Sequence, residues 1–150
     1  MKIKKTLVVA ALMMMCFMSS VFAQNKSPYS IRGDISNEPS SAVQKIKFEG
    51  VFTNKSSKEV ESFTIVFFVL DQDGNSPLRG RNNVVLKISE VVLPDSNFSF
   101  SRNLDDYLYM SDESSFYEDE VEYECEYLYV SRILYSDDTE WSDPFGFEYF

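Results

Sequence analysis

The chain has 150 residues, of which 24 are acidic and 14 basic, and it carries a formal net charge of −10 at pH 7 without a single histidine. This negative charge repels nucleic acids and anionic membrane surfaces, so neither is an expected partner. The lack of histidine removes the commonest general base and the standard serine and cysteine triads. The sequence therefore does not favour an enzyme, and it predicts no catalytic residues.

The first 23 residues have the pattern of a cleaved signal peptide. Lysines at positions 2, 4 and 5 precede an uncharged, mostly apolar run from Leu7 to Met18, and Val21-Phe22-Ala23 places small or short residues where a signal peptidase cuts, before Gln24. The apolar run is too short to cross about 30 Å of hydrocarbon, so a retained anchor is the less favoured alternative. The sequence predicts an exported protein, periplasmic or secreted, with no membrane span after cleavage.

Residues 24–41 predict a flexible leader, because proline, glycine, serine and asparagine are frequent there and only Tyr29–Ile31 suggests a short strand. The folded domain is expected from 42 to 150. Within it, short runs with a period of two alternate with turn residues, which is typical of a sandwich or barrel.

The clearest of these runs is Val60–Leu70, which is apolar on both faces and therefore predicts a central strand covered on both sides. Lys45–Thr53 predicts a strand with one apolar face, made of Ile46, Phe48, Gly50 and Phe52. The other predicted elements are strands over Asn83–Leu93, around Phe98, Phe100 and Leu104, over Val121–Tyr135 with its odd positions inward, and around Glu140–Ser142, with a helix plausible only near Asn103–Met110.

Together these elements predict an all-β fold, an immunoglobulin-like β-sandwich of about six to seven antiparallel strands. Several of them resemble the FxLYD family, small immunoglobulin-like domains of exported bacterial proteins, although Val69-Leu70 stands where Leu-Tyr is typical. The resemblance implies the sandwich fold and export, and it implies no activity. The matching segments are Gly50–Ser56, Phe67–Asp71, Asp73-Gly74 and Leu93-Pro94 before Phe98, with a similar closing pattern in Tyr129–Ile133 and Asp137–Trp141.

Cys125 would be the one cysteine left after signal cleavage, so no intramolecular disulfide is expected. It lies between Tyr123 and Tyr127 on the predicted inward face of a strand. A thiol there acts as a small hydrophobe with a raised pKa.

The segment Asp71–Asn75 resembles the start of a calcium loop, because alternate side-chain oxygens there can converge on one ion. However, Ser76 stands where such a loop needs glycine, and Asn82 where it needs a bidentate glutamate. We therefore expect a hairpin turn, with no metal site and no cofactor.

The best candidate for a partner-binding surface is the acidic, aromatic connection from Asn103 to Glu120. A connection this long is unusual in a small sandwich, and long loops often carry function. Tyrosine offers an apolar ring with a polar tip, which suits contact with a protein or a sugar. The alternative is a solvated loop with one or two aromatic rings folded onto the core. The candidate residues are Tyr107, Tyr109, Phe116 and Tyr117.

The sequence thus favours an exported accessory module that binds an envelope or secreted protein, through this loop or an exposed sheet edge; it leaves the oligomeric state open. An alternative is an outer-membrane or cell-envelope structural component anchored by the aromatic C-terminus, Phe145–Phe150, although an edge strand or core-capping tail is the favoured interpretation of that segment. A protease inhibitor acting through an exposed loop is a third possibility, which rests on the fold alone.

Overall fold

The structure is a computed structural model that describes residues 27–39, 44–78, 83–104, 107 and 122–148. Across these residues seven strands form two antiparallel sheets, one in the order β1-β2-β5 and the other in the order β4-β3-β6-β7. The predicted all-β sandwich is confirmed. No helix in this part of the chain is long and apolar enough to cross a membrane. The strands are β1 Tyr29–Pro39, β2 Gln44–Asn54, β3 Val60–Asp71, β4 Val84–Ile88, β5 Asn97–Asn103, β6 Tyr123–Tyr135 and β7 Glu140–Ser142.

The core is a set of aromatic rings stacked between the two sheets. Phe48 of β2 stacks on Phe67 of β3 with ring centroids 4.3 Å apart, and Phe52 stacks on Phe63 at 4.0 Å. All four side chains are at most 1% exposed. Strand β3 is paired with β4 and with β6, so its predicted central position is confirmed. The predicted cover on both faces is incomplete, because Phe68 and Leu70, on the face away from the core, are only half-buried.

Strand β1 corrects the prediction of a flexible leader. It pairs with β2 along its whole length, from Tyr29 opposite Asn54 to Pro39 opposite Gln44. Tyr29 and Ile31 alternate into the core and are 2% and 5% exposed. Glycine is needed at position 33 of this strand, because a side chain there would collide with the buried ring of Phe48.

Strand β6 corrects the prediction that its odd positions face inward throughout. Its pairing with β3 shifts between Val66 and Phe68 and again between Thr64 and Ile65, and each shift inserts one extra β6 residue. Such bulges reverse which side chains face the core, because successive strand residues point to opposite sides. The buried or half-buried inward set is therefore Tyr123 and Cys125, then Leu128 and Val130, then Ile133 and Tyr135.

The third predicted strand is shorter than expected. Strand β4 ends at Ile88, and Val92 returns only as an isolated bridge to Val60. Val91 and Leu93, on either side of Val92 in the chain, are 62% and 57% exposed.

Candidate binding surface

The predicted loop surface is only partly placed by the structure. Tyr109, Phe116 and Tyr117 lie outside the described residues. Tyr107 is half-buried and packs against the core, while its backbone N–H donates to the carbonyl of Leu104 at 2.8 Å. Tyr107 therefore contributes to the hydrophobic core, as the alternative interpretation of the loop expected.

A different apolar surface lies on the side of the four-stranded sheet that faces away from the three-stranded sheet. Val66 of β3 is the Cα partner of Val85 on one side and of Tyr129 on the other, so these three side chains share that outer face. Val85 is 49% exposed. The outer face is apolar around Val66 because β3 also carries apolar residues at the even positions 66, 68 and 70.

The segment after β7 folds back over this face at Tyr129. Gly146, with φ of +71°, lies against the Tyr129 ring so closely that a Cβ atom would come within 3.0 Å of it. The Tyr129 hydroxyl donates to the carbonyl of Pro144 at 3.2 Å. Burial raises the pKa of Tyr129, and the charge of Asp143 raises it further, so the phenol keeps the proton that it donates.

The Asp143 carboxylate fixes the turn that follows. Asp143 is 6% exposed, and its two oxygens accept backbone N–H groups from Phe147 at 3.1 Å and Glu148 at 2.9 Å. The backbone N–H of Asp143 donates to the carbonyl of Ser131 on β6 at 2.9 Å, which ties the turn to the sheet. Hydrogen bonds to a charged acceptor are stronger than neutral ones, so this turn is well anchored.

The anchored turn holds two phenylalanines in solvent. Phe145 and Phe147 are 70% and 80% exposed, with ring centroids 5.5 Å apart. Single exposed apolar residues are common on protein surfaces, but grouped aromatic rings mark interaction sites. The C-terminal segment was expected as an edge strand or core-capping tail. Its described residues, 145–148, form turns instead, and among them Gly146 packs against the sheet at Tyr129.

A second aromatic pair, of the half-buried Phe68 and the exposed Tyr127, lies on the same outer face. The Tyr127 ring meets the Phe68 ring edge-to-face with centroids 5.6 Å apart, and Tyr127 is 57% exposed. The sequence placed Tyr127 inward, and the bulge in β6 moves it outward. We use the term outer aromatic face for Phe68, Tyr127, Tyr129, Phe145 and Phe147.

Cys125 has the environment that the sequence predicted. It is half-buried and packs against the core, and burial raises the pKa of its thiol to about 12, with smaller contributions from Asp34 and Glu126. A thiol with such a pKa is almost entirely protonated at neutral pH and is a poor nucleophile.

The predicted turn at Asp71–Asn75 is confirmed. One carboxylate oxygen of Asp71 accepts the backbone N–H groups of Asp73 and Asn75, at 2.9 and 2.8 Å, and Gly74 adopts a positive φ. These hydrogen bonds, first that from Asn75, lower the pKa of Asp71. The carboxylate thus holds its own loop. Within the part of the chain that the structure describes, no group of three or more acidic, cysteine or histidine side chains could hold a metal ion.

The sequence signal for the outer aromatic face was the apolar character of both faces of β3 together with the closing Phe-Gly-Phe segment. Neither shows by itself that the rings remain exposed, since that depends on the Asp143 turn and on the β6 bulge.

No protein-family model matches the chain, and neither does a curated protein or a solved structure.

Proposed function

We propose that the protein is an exported, non-enzymatic accessory module that binds an envelope or secreted protein through its outer aromatic face. The observation that carries this proposal is the pair Phe145 and Phe147, held in solvent by a turn that the buried Asp143 carboxylate anchors.

The energetics of the pair suit binding. Burying one phenylalanine side chain contributes roughly 1.5–3 kcal/mol, and aromatic residues dominate the binding energy of many interfaces. A turn fixed by Asp143 and Tyr129 also loses little conformational entropy when a partner docks. The pair is therefore suited to anchor a partner that provides an apolar pocket.

Two sequence features support export and the immunoglobulin-like class. Residues 1–23 have the pattern of a signal peptide, and the segments from Gly50 to Trp141 resemble the FxLYD family. Such domains serve as accessory or binding modules, which supports a binding role. Tyr109, Phe116 and Tyr117 remain a predicted second surface for the same role.

The exposed phenylalanines also favour a second candidate, an envelope component that associates with lipid through its aromatic C-terminus. Aromatic side chains settle at membrane interfaces. The net charge of −10 opposes binding to anionic lipid, which makes the protein partner the better proposal. Flotation with zwitterionic vesicles separates the two, since a protein-binding module remains in the aqueous fraction.

The proposal is tested by affinity capture from envelope and secreted fractions of the cells that make the protein. The variant Phe145→Ser/Phe147→Ser removes the exposed pair, and Val91→Ser/Leu93→Ser is the matched control, because it removes two similarly exposed apolar side chains elsewhere. A partner that the wild type and the control retain, and the first variant loses, supports the proposal. Identical capture by all three proteins contradicts it.

A further inference from the structure

The bulge in β6 places a tyrosine in an unfavourable backbone conformation. Tyr127 has φ of +52°, in the left-handed region that a bulky side chain rarely adopts. Glycine is the usual residue at such a position in a bulge, because it has no Cβ to clash with the backbone. Bulges commonly re-aim a side chain near a functional site, and a strained residue there indicates a role for that side chain.

The side chain re-aimed in this way lies beside two carboxylates. Glu126 is the Cα partner of Phe68, and Glu124 is the Cα partner of Leu70, so both glutamates project on the outer face next to the Phe68–Tyr127 ring pair. Both are exposed. Neither forms a salt bridge with a cation in the described residues, where the ion pairs are Lys58–Asp137 and Arg132–Glu140.

We propose that Tyr127, Phe68, Glu124 and Glu126 bind the arginine or lysine side chains of an extended segment of the partner. This inference rests on the proposed function and names the chemistry of the partner. A cation is attracted to the face of an aromatic ring and to carboxylates, and the net charge of −10 draws a basic partner from a distance.

The spacing of the two glutamates indicates an extended segment. Glu124 and Glu126 are alternate residues on one strand, so their Cα atoms lie about 7 Å apart. Alternate side chains of an extended partner have the same spacing. The carboxylates also repel anionic lipid headgroups, so a basic protein segment suits this end of the face better than a membrane does.

The test measures the affinity of the full chain for two fluorescein-labelled nine-residue peptides by fluorescence anisotropy. One peptide alternates arginine with threonine, and the other alternates glutamate with threonine. We expect the wild type to bind the arginine peptide more tightly, with an affinity that falls as salt rises. Equal binding of the two peptides, or no binding of the arginine peptide, overturns the inference.

The decisive variant is Tyr127→Gly, which permits the left-handed backbone and removes the ring. We expect it to fold at least as stably as the wild type and to bind the arginine peptide roughly twofold to fivefold more weakly, the strength of a cation–π contact at an exposed site. Tyr127→Phe keeps the ring and is expected to bind like the wild type. The double variant Glu124→Gln/Glu126→Gln is expected to weaken binding and to flatten its salt dependence. Unchanged affinity in Tyr127→Gly overturns the inference.

Two further outcomes separate this inference from the proposed function and from a lipid ligand. If capture of a protein partner depends on Phe145 and Phe147 while the arginine peptide does not bind, the proposed function stands and this inference fails. If the wild type instead binds phosphatidylglycerol vesicles and Tyr127→Gly does not, Tyr127 serves a membrane and the inference is overturned.

Discussion

Asn54 is the residue whose replacement tests the packing of the sandwich most sharply. Its side chain is fully buried at the end of β2. The amide nitrogen donates to the carbonyls of Lys58 and Val92, at 2.8 and 3.0 Å, and the amide oxygen accepts the backbone N–H and the hydroxyl of Ser56 at 3.0 and 2.7 Å. One side chain thereby joins the β2–β3 turn to the segment that bridges back to β3.

The variant Asn54→Ala removes all four hydrogen bonds and leaves the part-buried backbone N–H of Ser56 without its acceptor. The carbonyls of Val92 and Lys58 each keep one donor, the Val60 N–H and the Ser56 hydroxyl. Each such bond contributes about 1 kcal/mol net, and an unsatisfied buried group costs about 1–3 kcal/mol. These contributions overlap, so we expect the free energy of unfolding to fall by roughly 2–4 kcal/mol. Because a domain of this size is stable by about 5–15 kcal/mol, the loss is large.

Urea denaturation followed by circular dichroism measures this loss. The matched control is Asn97→Ala, because Asn97 is an exposed asparagine whose side chain accepts one hydrogen bond, from Thr53 at 2.7 Å. We expect the control to change the free energy of unfolding by less than about 0.5 kcal/mol. If the two variants are equally stable, the side chain of Asn54 does not hold these segments together and the reasoning is refuted.

The variant Asn54→Asp tests the direction in which stability changes with pH. Its carboxyl would face two carbonyl oxygens, Lys58 O and Val92 O, in a buried site, so its pKa in the folded state would rise above the unfolded value. The folded state is then favoured when the carboxyl is protonated. We expect the variant to lose stability relative to the wild type as pH rises above about 4, the ordinary pKa of aspartic acid. A deficit that does not grow with pH contradicts this interpretation.

Three further predictions concern the core, an ion pair and the thiol. Gly50→Ala puts a Cβ 2.6 Å from the Phe100 ring, so we expect urea denaturation to show a loss of about 1–3 kcal/mol, and an unchanged midpoint would contradict the packing. A hydrogen bond from Lys58 is the largest cause that lowers the pKa of Asp137 from 3.8 to about 2; this stabilisation is present above pH 3.8 and is lost as pH falls through about 2. Carbon-13 NMR should therefore show the pKa of Asp137 rising toward 3.8 in Lys58→Ala, and no rise would exclude the pair as the cause. The Cys125 thiol has a pKa of about 12 against an ordinary 9.0, so it should react with iodoacetamide at pH 8 roughly a thousandfold more slowly in the folded than in the unfolded chain. Peptide mass spectrometry measures both rates, and equal rates would contradict the burial of the thiol.

The strands that the sequence predicted best are those in which hydrophobic periodicity and burial agree. Strand β3 is apolar at every position from Phe63 to Phe68 except Thr64, and only a central strand of a sandwich buries such a run. Strand β1 was missed beyond Ile31 because Gly33, Asp34 and Ser36 are turn residues in most contexts. Pairing with β2 overrides that local preference, and Gly33 is needed there because Phe48 fills the space of its side chain.

The functional surface was harder to predict than the fold. Tyr127 and Cys125 are both at odd positions of β6, so the alternating pattern predicts the same face for both. The bulge that separates them contains no glycine, which would have been a sequence signal for it. The exposure of Phe145 and Phe147 depends on hydrogen bonds from their own turn to Asp143, a contact between near neighbours that hydrophobic patterns do not encode. Alternation therefore predicts which strands form, while the direction of individual aromatic rings depends on backbone irregularities.

The proposal that the outer aromatic face binds a protein is tested most directly by photo-crosslinking in the cells that make the chain. A benzophenone amino acid is introduced at position 147 on this face and, in a separate variant, at position 91. Val91 is exposed next to the Val92–Val60 bridge, six residues along β3 from Val66, the partner of Tyr129. We predict a cross-linked adduct with one defined protein from position 147 and none from position 91. The same adducts from both positions, or only lipid from position 147, would contradict the account.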